Sequence, residues 1–178
     1  MMNRPDPSYH GAIWSQAAKP LGPIAYILRA RVILLRDLGS AMSPFNAFTF
    51  IQGLETLPLR MQRHCENGEK IAHFLNDHPL IDTVYWPGLK SHTNHELAKS
   101  QMKDFGGMIS FNLVGDDLEM AKKVVSKTEL FTLAESLGGV ESLIGHPSTM
   151  THASIPREER MKSGVVDSLI RLSVGIED

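Results

Sequence analysis

The sequence predicts an α+β fold, in which helices cover one face of a mostly antiparallel sheet. Two patterns carry this prediction. After residue 79, short runs of alternating apolar and polar residues are separated by stretches with helical spacing. Before residue 79, apolar residues recur at steps of three and four, which indicates helices that precede the sheet. The length of 178 residues is sufficient for one ordinary domain with a hydrophobic core.

The first part of the chain divides into an irregular arm and a helical region. Residues 1–22 contain several prolines and glycines and few periodic apolar positions, which predicts an irregular arm. Helical spacing then extends over residues 24–38, and Gly39 is a suitable C-terminal stop. We therefore divide the chain into an arm (1–22), a helical region (23–78) and an α+β domain (79–178).

Two further helices are expected within the helical region. Ser43 is a suitable N-cap and Pro44 suits the first helical position, so one helix should begin there. Pro58 predicts a break before a further helix that extends to about Asn76. The single cysteine, Cys65, excludes an intrachain disulfide. We predict that it is a buried core residue, on one helix face with Met61, Gly68, Ala72 and Leu75.

The α+β domain is expected to contain five strands and two helices. Asp116, with Glu119 three residues later, resembles a capping box at the start of the second helix. Gly138 and Gly139 permit a tight turn, which favours a hairpin between the third and fourth strands, and the same glycines leave amide groups open to an anion. The strands are predicted near residues 81–86, 107–113, 130–134, 140–144 and 168–174, and the helices over 92–103 and 116–127.

The composition argues against several classes of function. The formal net charge is −2, which gives no bulk attraction for nucleic acid or for an anionic membrane. No apolar run approaches the ~18 residues of a membrane span, and the N-terminus is too polar for a signal peptide, so a cytoplasmic location is expected. The sequence has no glycine-rich dinucleotide motif, no Walker motif and no nucleophile-elbow serine.

Arg171 is unusual because it lies within the most strand-like run of the sequence, "SLIRLSVGIED". Strand periodicity places it on one face with Leu169, Ser173 and Gly175. If that face is covered, the guanidinium needs an anion, from elsewhere in the fold or from a ligand, and a substrate carboxylate suits its planar fork. The alternative is an arginine on an edge strand that faces water, and the strand pattern alone favours that alternative.

Two polar stretches precede this strand. "AESLGGVESL" contains Glu135 and Ser136, and "GHPSTMTHAS" contains Thr151 in a segment without periodic apolar residues. Its hydroxyls and imidazoles are suited to local hydrogen bonds or to a site. A metal site has little support and none is predicted, because neither of two histidine pairs is completed by a cysteine or a carboxylate at a known spacing: His146 with His152, and His92 with His95.

Several stretches, in this order, resemble one family. They are "SPFNAFTFIQGLETLPLRM", "VYWPGLKSH", "FGGMISFNL", "AESLGGVESLIGHPSTMTHAS" and "DSLIRLSVGIED". Together they resemble the C-terminal part of the Cys/Met-metabolism enzymes that depend on pyridoxal phosphate. This family includes O-acetylhomoserine sulfhydrylases, cystathionine γ-synthases, cystathionine γ-lyases and methionine γ-lyases. The likeness extends from Asp6 over nearly the whole chain.

The resemblance implies a fold and a site. The fold is the C-terminal domain of a fold-type I pyridoxal phosphate enzyme, preceded by helices of the region between the domains. In the family, the arginine that Arg171 matches holds the α-carboxylate of the amino-acid substrate, and the serine matched by Ser136 helps to position it. Glu135 matches an acidic residue on the leaving-group side in the cystathionine enzymes, and Thr151 matches a threonine close to the substrate.

The exact reaction stays open at this point. The first half of the chain, with "PDPSYHG", is most similar to the O-acetylhomoserine sulfhydrylases, which replace the acetate of O-acetylhomoserine by sulfide or a thiol to give homocysteine or methionine. "AESLGGVESL" is more similar to the cystathionine synthases and lyases. A third possibility, from another class, is a non-catalytic module that assembles with a full-length family member.

The resemblance does not extend to the cofactor lysine. Pyridoxal phosphate chemistry needs a lysine that forms an imine, and none of the lysines of this chain matches the family's "S-x-T-K-[YF]" context. The cofactor-binding domain of the family is therefore expected to be absent from this sequence, as in a truncated or split enzyme that does not bind pyridoxal phosphate or react alone. Self-association, or a partner chain that supplies the cofactor domain, is expected to cover the apolar faces of its first helices.

Overall fold

The computed structural model describes all residues from Met1 to Asp178 and contains two compact units. The first unit comprises Met1–Gly53 and the second comprises Leu54–Asp178. No helix is both long and apolar enough to cross a membrane.

The first unit consists of short helical segments. Its α-helices are α1 (Trp14–Ala17), α2 (Ala25–Arg29), α3 (Arg36–Leu38) and α4 (Pro44–Glu55), the last of which reaches the second unit. A π-helical stretch, Ala30–Leu35, joins α2 to α3, so residues 25–38 form one continuous helical segment close to the predicted one. Two 3₁₀ turns, Pro7–Tyr9 and Lys19–Leu21, complete the unit.

The segment predicted as an irregular arm is ordered around a buried carboxylate. Asp6 accepts hydrogen bonds from the Trp14 indole N–H at 2.8 Å and from Arg29 Nε at 2.7 Å. Asp6 and Trp14 are both buried. The bond from Trp14, followed by that from Arg29, lowers the pKa of the Asp6 carboxyl below its ordinary value. A polar network of this kind has no apolar periodicity, which is why the sequence pattern did not indicate it.

The helix signals of the first unit are confirmed, but their apolar faces are not buried. Gly39 adopts φ 67° and ends the segment that precedes it, and Ser43 Oγ accepts from the N–H of Asn46 at 3.1 Å at the start of α4. In the segment 25–38 only Ile33 is buried. Large exposed apolar side chains lie on both segments, among them Tyr26, Ile27, Leu38, Phe45, Phe48, Phe50 and Ile51.

The second unit is an α+β domain built on one five-stranded sheet, as predicted. The strand order is β1-β2-β5-β4-β3, and all neighbouring pairs are antiparallel except β3 and β4. The strands are β1 (Ile81–Tyr85), β2 (Met108–Leu113), β3 (Thr132–Leu133), β4 (Leu143–Gly145) and β5 (Ile170–Ser173). The helices are α5 (Leu57–Asn76), α6 (His95–Gln101), α7 (Leu118–Val125) and α8 (Arg157–Lys162), with 3₁₀ turns at Val114–Asp116 and Pro147–Thr149.

The prediction of a hairpin at Gly138 and Gly139 is wrong. β3 and β4 are parallel, with Thr132 opposite Leu143, and a parallel pair cannot be joined by a tight turn. Residues 135–142, called the 135–142 loop below, therefore have to lead the chain back to the other end of the sheet, so that β4 can run in the same direction as β3. Residues 140–142, predicted as part of the fourth strand, belong to this loop.

The core lies between the sheet and helices α5 and α7. Period-two alternation, as predicted, buries one face of β2 and β5, and the opposite face of these strands carries Ser110, Asn112, Arg171 and Ser173. The core residues of the two strands and their extensions are Ile109, Phe111, Leu113, Ile170, Leu172 and Val174, which pack in one cluster with Ala72, Leu75, Ala121 and Val125 of the helices.

Two local predictions need correction. Cys65 is only partly buried, because the inward face of α5 is centred on His64, Gly68, Ala72 and Leu75 instead. His64 Nδ1 lies 2.7 Å from the carbonyl oxygen of Val174, a contact that turns this residue inward.

The helix α7 is capped by Asp117 and not by Asp116. The Asp117 carboxylate accepts from the N–H groups of Glu119 and Met120. Asp116 instead accepts from the N–H of Ser168, at 2.7 Å, just before β5. Its φ of 48° turns the chain so that the carboxylate reaches that strand.

A cluster of charges anchors the segment that leads into β5. Asp167 pairs with Arg160 at 2.6 Å and with Arg157 at 2.6 Å, and the Asp167 and Arg160 side chains are largely buried. The hydrogen bond from Arg157, followed by that from Arg160, lowers the pKa of the Asp167 carboxyl below its ordinary value of 3.8. Asp167 is therefore ionised in the folded protein at neutral pH.

Asp167→Asn should lower the free energy of unfolding by about 3 kcal/mol at pH 7, because it leaves the buried Arg160 without a counter-charge. Since the folded pKa lies below the unfolded one, the stabilisation is complete above about pH 5 and is lost as the pH falls through the folded value. Urea unfolding from pH 7 down to pH 3 should show the two proteins converge at acid pH. Asp37→Asn, which breaks an exposed pair with Arg36, is the control and should change little.

A second prediction concerns the contact of α5 with the start of β2. A Cβ atom on Gly68 would lie 2.7 Å from the carbonyl oxygen of Gly106 and 3.0 Å from Gly107 Cα, both backbone atoms. Gly68→Ala should therefore lower the free energy of unfolding by about 2 kcal/mol. Gly53→Ala, in α4 with nothing within 4 Å of the new Cβ, is the control and should raise it by roughly 0.5 kcal/mol. Equal effects in urea unfolding would contradict the packing argument.

Candidate functional site

Arg171 lies on the central strand of the sheet and not on an edge strand. β5 is flanked by β2 and β4, with Arg171 opposite Ser110 on one side and Gly145 on the other. The interpretation of Arg171 as an edge residue that faces water is therefore wrong. A Cβ atom at Gly145 would lie 3.8 Å from Nη2 of Arg171, which is an ordinary contact, and 3.2 Å from the carbonyl oxygen of Ala134, which is a tight one.

The 135–142 loop covers the face of β5 that carries Arg171. The loop runs in the direction of β5, with residues 135 and 136 next to Arg171, and Gly138 next to Ser173. Further along, the carbonyl of Val140 accepts from the N–H of Ile176 at 2.9 Å. The loop thus contacts this face of β5 mainly through its main-chain N–H and carbonyl groups and not through its side chains.

The guanidinium of Arg171 is held by main-chain carbonyls and by no acidic side chain. Nη2 donates to the carbonyl oxygen of Glu135 at 2.7 Å and to that of Ser136 at 3.1 Å. No carboxylate of the chain lies within ion-pair distance of Arg171. The Nε and Nη1 groups make no hydrogen bond within the chain, so a half-buried cation keeps donors for an anion.

A shallow cleft lies beside Arg171, and three of the four predicted site residues line it. Glu135, Thr151 and Arg171 all line it. Ser136 does not line it; its carbonyl binds Arg171 and its side chain is exposed. The other lining residues are Gly145, His146, Pro147 and Met150.

His146 anchors the turn that carries Thr151. The imidazole is almost completely buried, with Nε2 2.8 Å from the carbonyl oxygen of Asp167 and Nδ1 2.8 Å from the hydroxyl of Thr149. It therefore serves a structural network, as the sequence allowed. Thr151 Oγ1 lies 2.8 Å from His152 Nδ1 at the exposed mouth of the cleft. No group of three or more potential metal ligands occurs in the structure.

The residues of this cleft do not fit pyridoxal phosphate, the cofactor that the resemblance implies. That cofactor needs an amine for its imine, an acid for its pyridine nitrogen and donors for its phosphate. None of the lysines lines the cleft, and Glu135 is the only acidic residue among its lining residues. What the cleft offers is a cation with unused donors, a carboxylate and a hydroxyl, which suit an amino acid.

The comparisons with known proteins agree with the resemblance. A family model described as Cys/Met metabolism PLP-dependent enzyme matches residues 10–178. A cystathionine β-lyase of Coxiella burnetii is 57% identical over 81% of this chain and 37% of its own length. An O-acetyl-L-homoserine sulfhydrylase of Leptospira meyeri is 46% identical over 98% of this chain and 41% of its own length.

A solved structure supports the fold. It is a Campylobacter jejuni protein described as an O-acetylhomoserine (thiol)-lyase, with N'-pyridoxyl-lysine-5'-monophosphate, and it is 43% identical with a TM-score of 0.81. The match covers 99% of this chain and 41% of that one, so the chain spans about two fifths of the length of these relatives. The fold is therefore that of part of a fold-type I pyridoxal phosphate enzyme, and the chain belongs to the Cys/Met metabolism family of PLP-dependent enzymes.

Proposed function

We propose that this chain forms the part of a PLP-dependent enzyme site that holds the α-carboxylate of an amino-acid substrate. The observation that carries the proposal is the guanidinium of Arg171, fixed by two carbonyls and without an acidic partner, beside a cleft. A carboxylate ligand would neutralise this charge and accept from the N–H groups that the chain leaves unused. No chain carboxylate competes for these donors.

The other predicted site residues take supporting roles in this proposal. Ser136 acts through its carbonyl, which orients the guanidinium. Glu135 lines the cleft and would face the distal end of the substrate, on the leaving-group side. Thr151 lines the mouth of the cleft and offers a hydroxyl to the bound substrate.

For the reaction we propose γ-replacement on a homoserine ester, as in an O-acetylhomoserine sulfhydrylase. The sulfhydrylase of Leptospira meyeri matches 98% of this chain, which supports this choice. The second candidate is cystathionine chemistry, which the higher identity of the Coxiella burnetii lyase and the "AESLGG" stretch favour. Turnover of O-acetylhomoserine with sulfide, against cleavage of cystathionine, separates the two in an assembly that includes a cofactor-binding domain of the family.

The carboxylate role predicts the binding of L-methionine and the failure of L-methioninol, which has the same side chain and amine but no carboxylate. Arg171→Lys should weaken the affinity for L-methionine about tenfold, because a lysine cannot donate from a planar fork. Ligand-induced shifts in two-dimensional NMR spectra measure both affinities. Arg63→Lys, at an exposed arginine far from the cleft residues in sequence, is the control variant.

Two outcomes would remove Arg171 from the proposed site. One is equal binding of L-methionine and L-methioninol by the wild-type protein. The other is an unchanged affinity of Arg171→Lys for L-methionine, with its Gly138 amide signal in the wild-type position as evidence that the loop is intact.

We also propose that another polypeptide surface covers the apolar side chains of residues 25–51. A second copy of this chain, or a chain that supplies a cofactor domain, is the expected partner. This proposal also accommodates a non-catalytic module that assembles with a full-length family member. Its support is the exposure of large apolar side chains on both helical segments of this region, with Tyr26 73% and Phe45 73% exposed.

The association should be measurable by sedimentation equilibrium. The wild-type protein is expected to self-associate or to bind a family cofactor domain, and Phe45→Ser with Phe48→Ser should weaken this association at least tenfold because both remove exposed apolar area. Leu80→Ser, an exposed leucine of the second unit, is the control. A monomer at every concentration, with no affinity for the cofactor domain, would contradict the proposal.

A further inference from the structure

The last strand and its extension face the 135–142 loop at every second position. Arg171, Ser173, Gly175 and Glu177 share one face by strand periodicity, and each meets the loop. The first of these contacts is the pair of bonds from Arg171 to the carbonyls of residues 135 and 136. The other three contacts have no role in the function proposed above.

Ser173 and Gly175 meet the middle of the loop. The hydroxyl oxygen of the buried Ser173 accepts from the N–H of Gly138 at 2.8 Å. A Cβ atom on Gly175 would collide with the carbonyl oxygen of Val140 and with the carboxylate of Glu177. The absence of a side chain at 175 therefore allows the loop backbone to lie directly on the strand extension.

Glu177 fixes the end of the loop through both of its oxygens. Oε1 accepts from the N–H of Ser142 at 2.6 Å, and Oε2 accepts from the Ser142 hydroxyl at 2.8 Å. The same hydroxyl oxygen accepts from the N–H of Gly175 at 2.9 Å. Ser142 is buried, so its backbone and side chain are tied to one carboxylate at a fixed place.

Helix α5 holds the strand extension from the other side. Asn67 Nδ2 donates to the carbonyl oxygens of Gly175, at 3.1 Å, and of Glu177, at 2.8 Å. His64 Nδ1 lies 2.7 Å from the carbonyl oxygen of Val174. The extension is thus a fixed base to which the loop is attached.

We infer that Ser173 and Glu177 are positioning residues for the substrate carboxylate: they hold the 135–142 loop, whose carbonyls at Glu135 and Ser136 set the direction of the Arg171 guanidinium. This inference rests on the proposed carboxylate role of Arg171. Neither residue contacts the cleft; both act on it through the loop backbone.

The charge state of Glu177 suits this role. Burial would raise the pKa of the Glu177 carboxyl, but hydrogen bonds from its own N–H and from Ser142, together with the nearby His64, outweigh burial and lower it. The carboxylate therefore accepts both hydrogen bonds from Ser142 at neutral pH.

The test compares Glu177→Ala and Ser173→Ala with Asp178→Ala, the matched control. Asp178 is the next acidic residue, is fully exposed and pairs only with Arg63 at 3.6 Å. Asp178→Ala therefore changes the net charge by the same amount as Glu177→Ala, but it removes no contact with the 135–142 loop. The first readout needs no ligand. Hydrogen exchange at the Gly138 amide should accelerate at least tenfold in both test variants, and the Arg171 Nε–H resonance should move, whereas Asp178→Ala should leave both as in the wild type.

The second readout is affinity for L-methionine. Both test variants should bind it about tenfold more weakly, and in an Arg171→Lys background the additional loss from Glu177→Ala should be less than twofold, because the loop then has no guanidinium to orient. A general loss of structure would weaken binding equally in both backgrounds. Ser173→Ala removes only the acceptor for Gly138, so it keeps the test decisive if Glu177→Ala fails to fold.

The outcomes for the two proposals are distinguishable. An unchanged Gly138 exchange rate and an unchanged Arg171 resonance in the folded variants would overturn the positioning role. An equal tenfold loss in the wild-type and Arg171→Lys backgrounds would also overturn it. Failure of the wild-type protein to distinguish L-methionine from L-methioninol would overturn the carboxylate role of Arg171, whereas the first readout would still decide whether Ser173 and Glu177 orient the guanidinium.

Discussion

The guanidinium of Arg171 is oriented by the backbone of a loop and not by an acidic side chain, and the rest of the candidate site depends on this. A carboxylate partner would orient the arginine and neutralise it at the same time, so an anionic ligand would have to displace that partner. The carbonyls of Glu135 and Ser136 supply only partial charges. The carbonyls therefore fix the direction of the guanidinium, and no acidic side chain of the chain neutralises it.

This arrangement requires a rigid strand beneath the arginine. β5 occupies the centre of the sheet, and the segment before it is held by the Asp167 pairs and by the bond from the Ser168 N–H to Asp116. The buried His146 joins the same segment to the turn that carries Thr151. One set of polar contacts thus joins the strand that carries Arg171 to the turn that carries Thr151.

Much of the fold could be predicted from the sequence, because burial imposes its period on the residues. The alternation around Phe111 and Leu172 indicated which strand faces the helices cover, and Ser43 with Pro44 indicated the start of α4. The hairpin prediction at Gly138 and Gly139 was wrong because two glycines permit many turns. Whether the chain forms a hairpin or a connection to a parallel strand depends on the strand face on which the loop packs, and that face is formed by residues distant in sequence.

The candidate site shows the same division between local and distant information. The family resemblance singles out Arg171, Glu135, Ser136 and Thr151, and three of them line one cleft. It does not indicate what holds them, because those contacts join a side chain to a main-chain group more than thirty residues away, as between Ser173 and Gly138. Such contacts leave no periodicity and no local motif. The sequence carries one sign of these contacts, which is the spacing of Arg171, Ser173, Gly175 and Glu177 on one strand face. A face that presents a cation, a hydroxyl, a glycine and a carboxylate in succession is suited to bind a polar backbone and not an apolar layer.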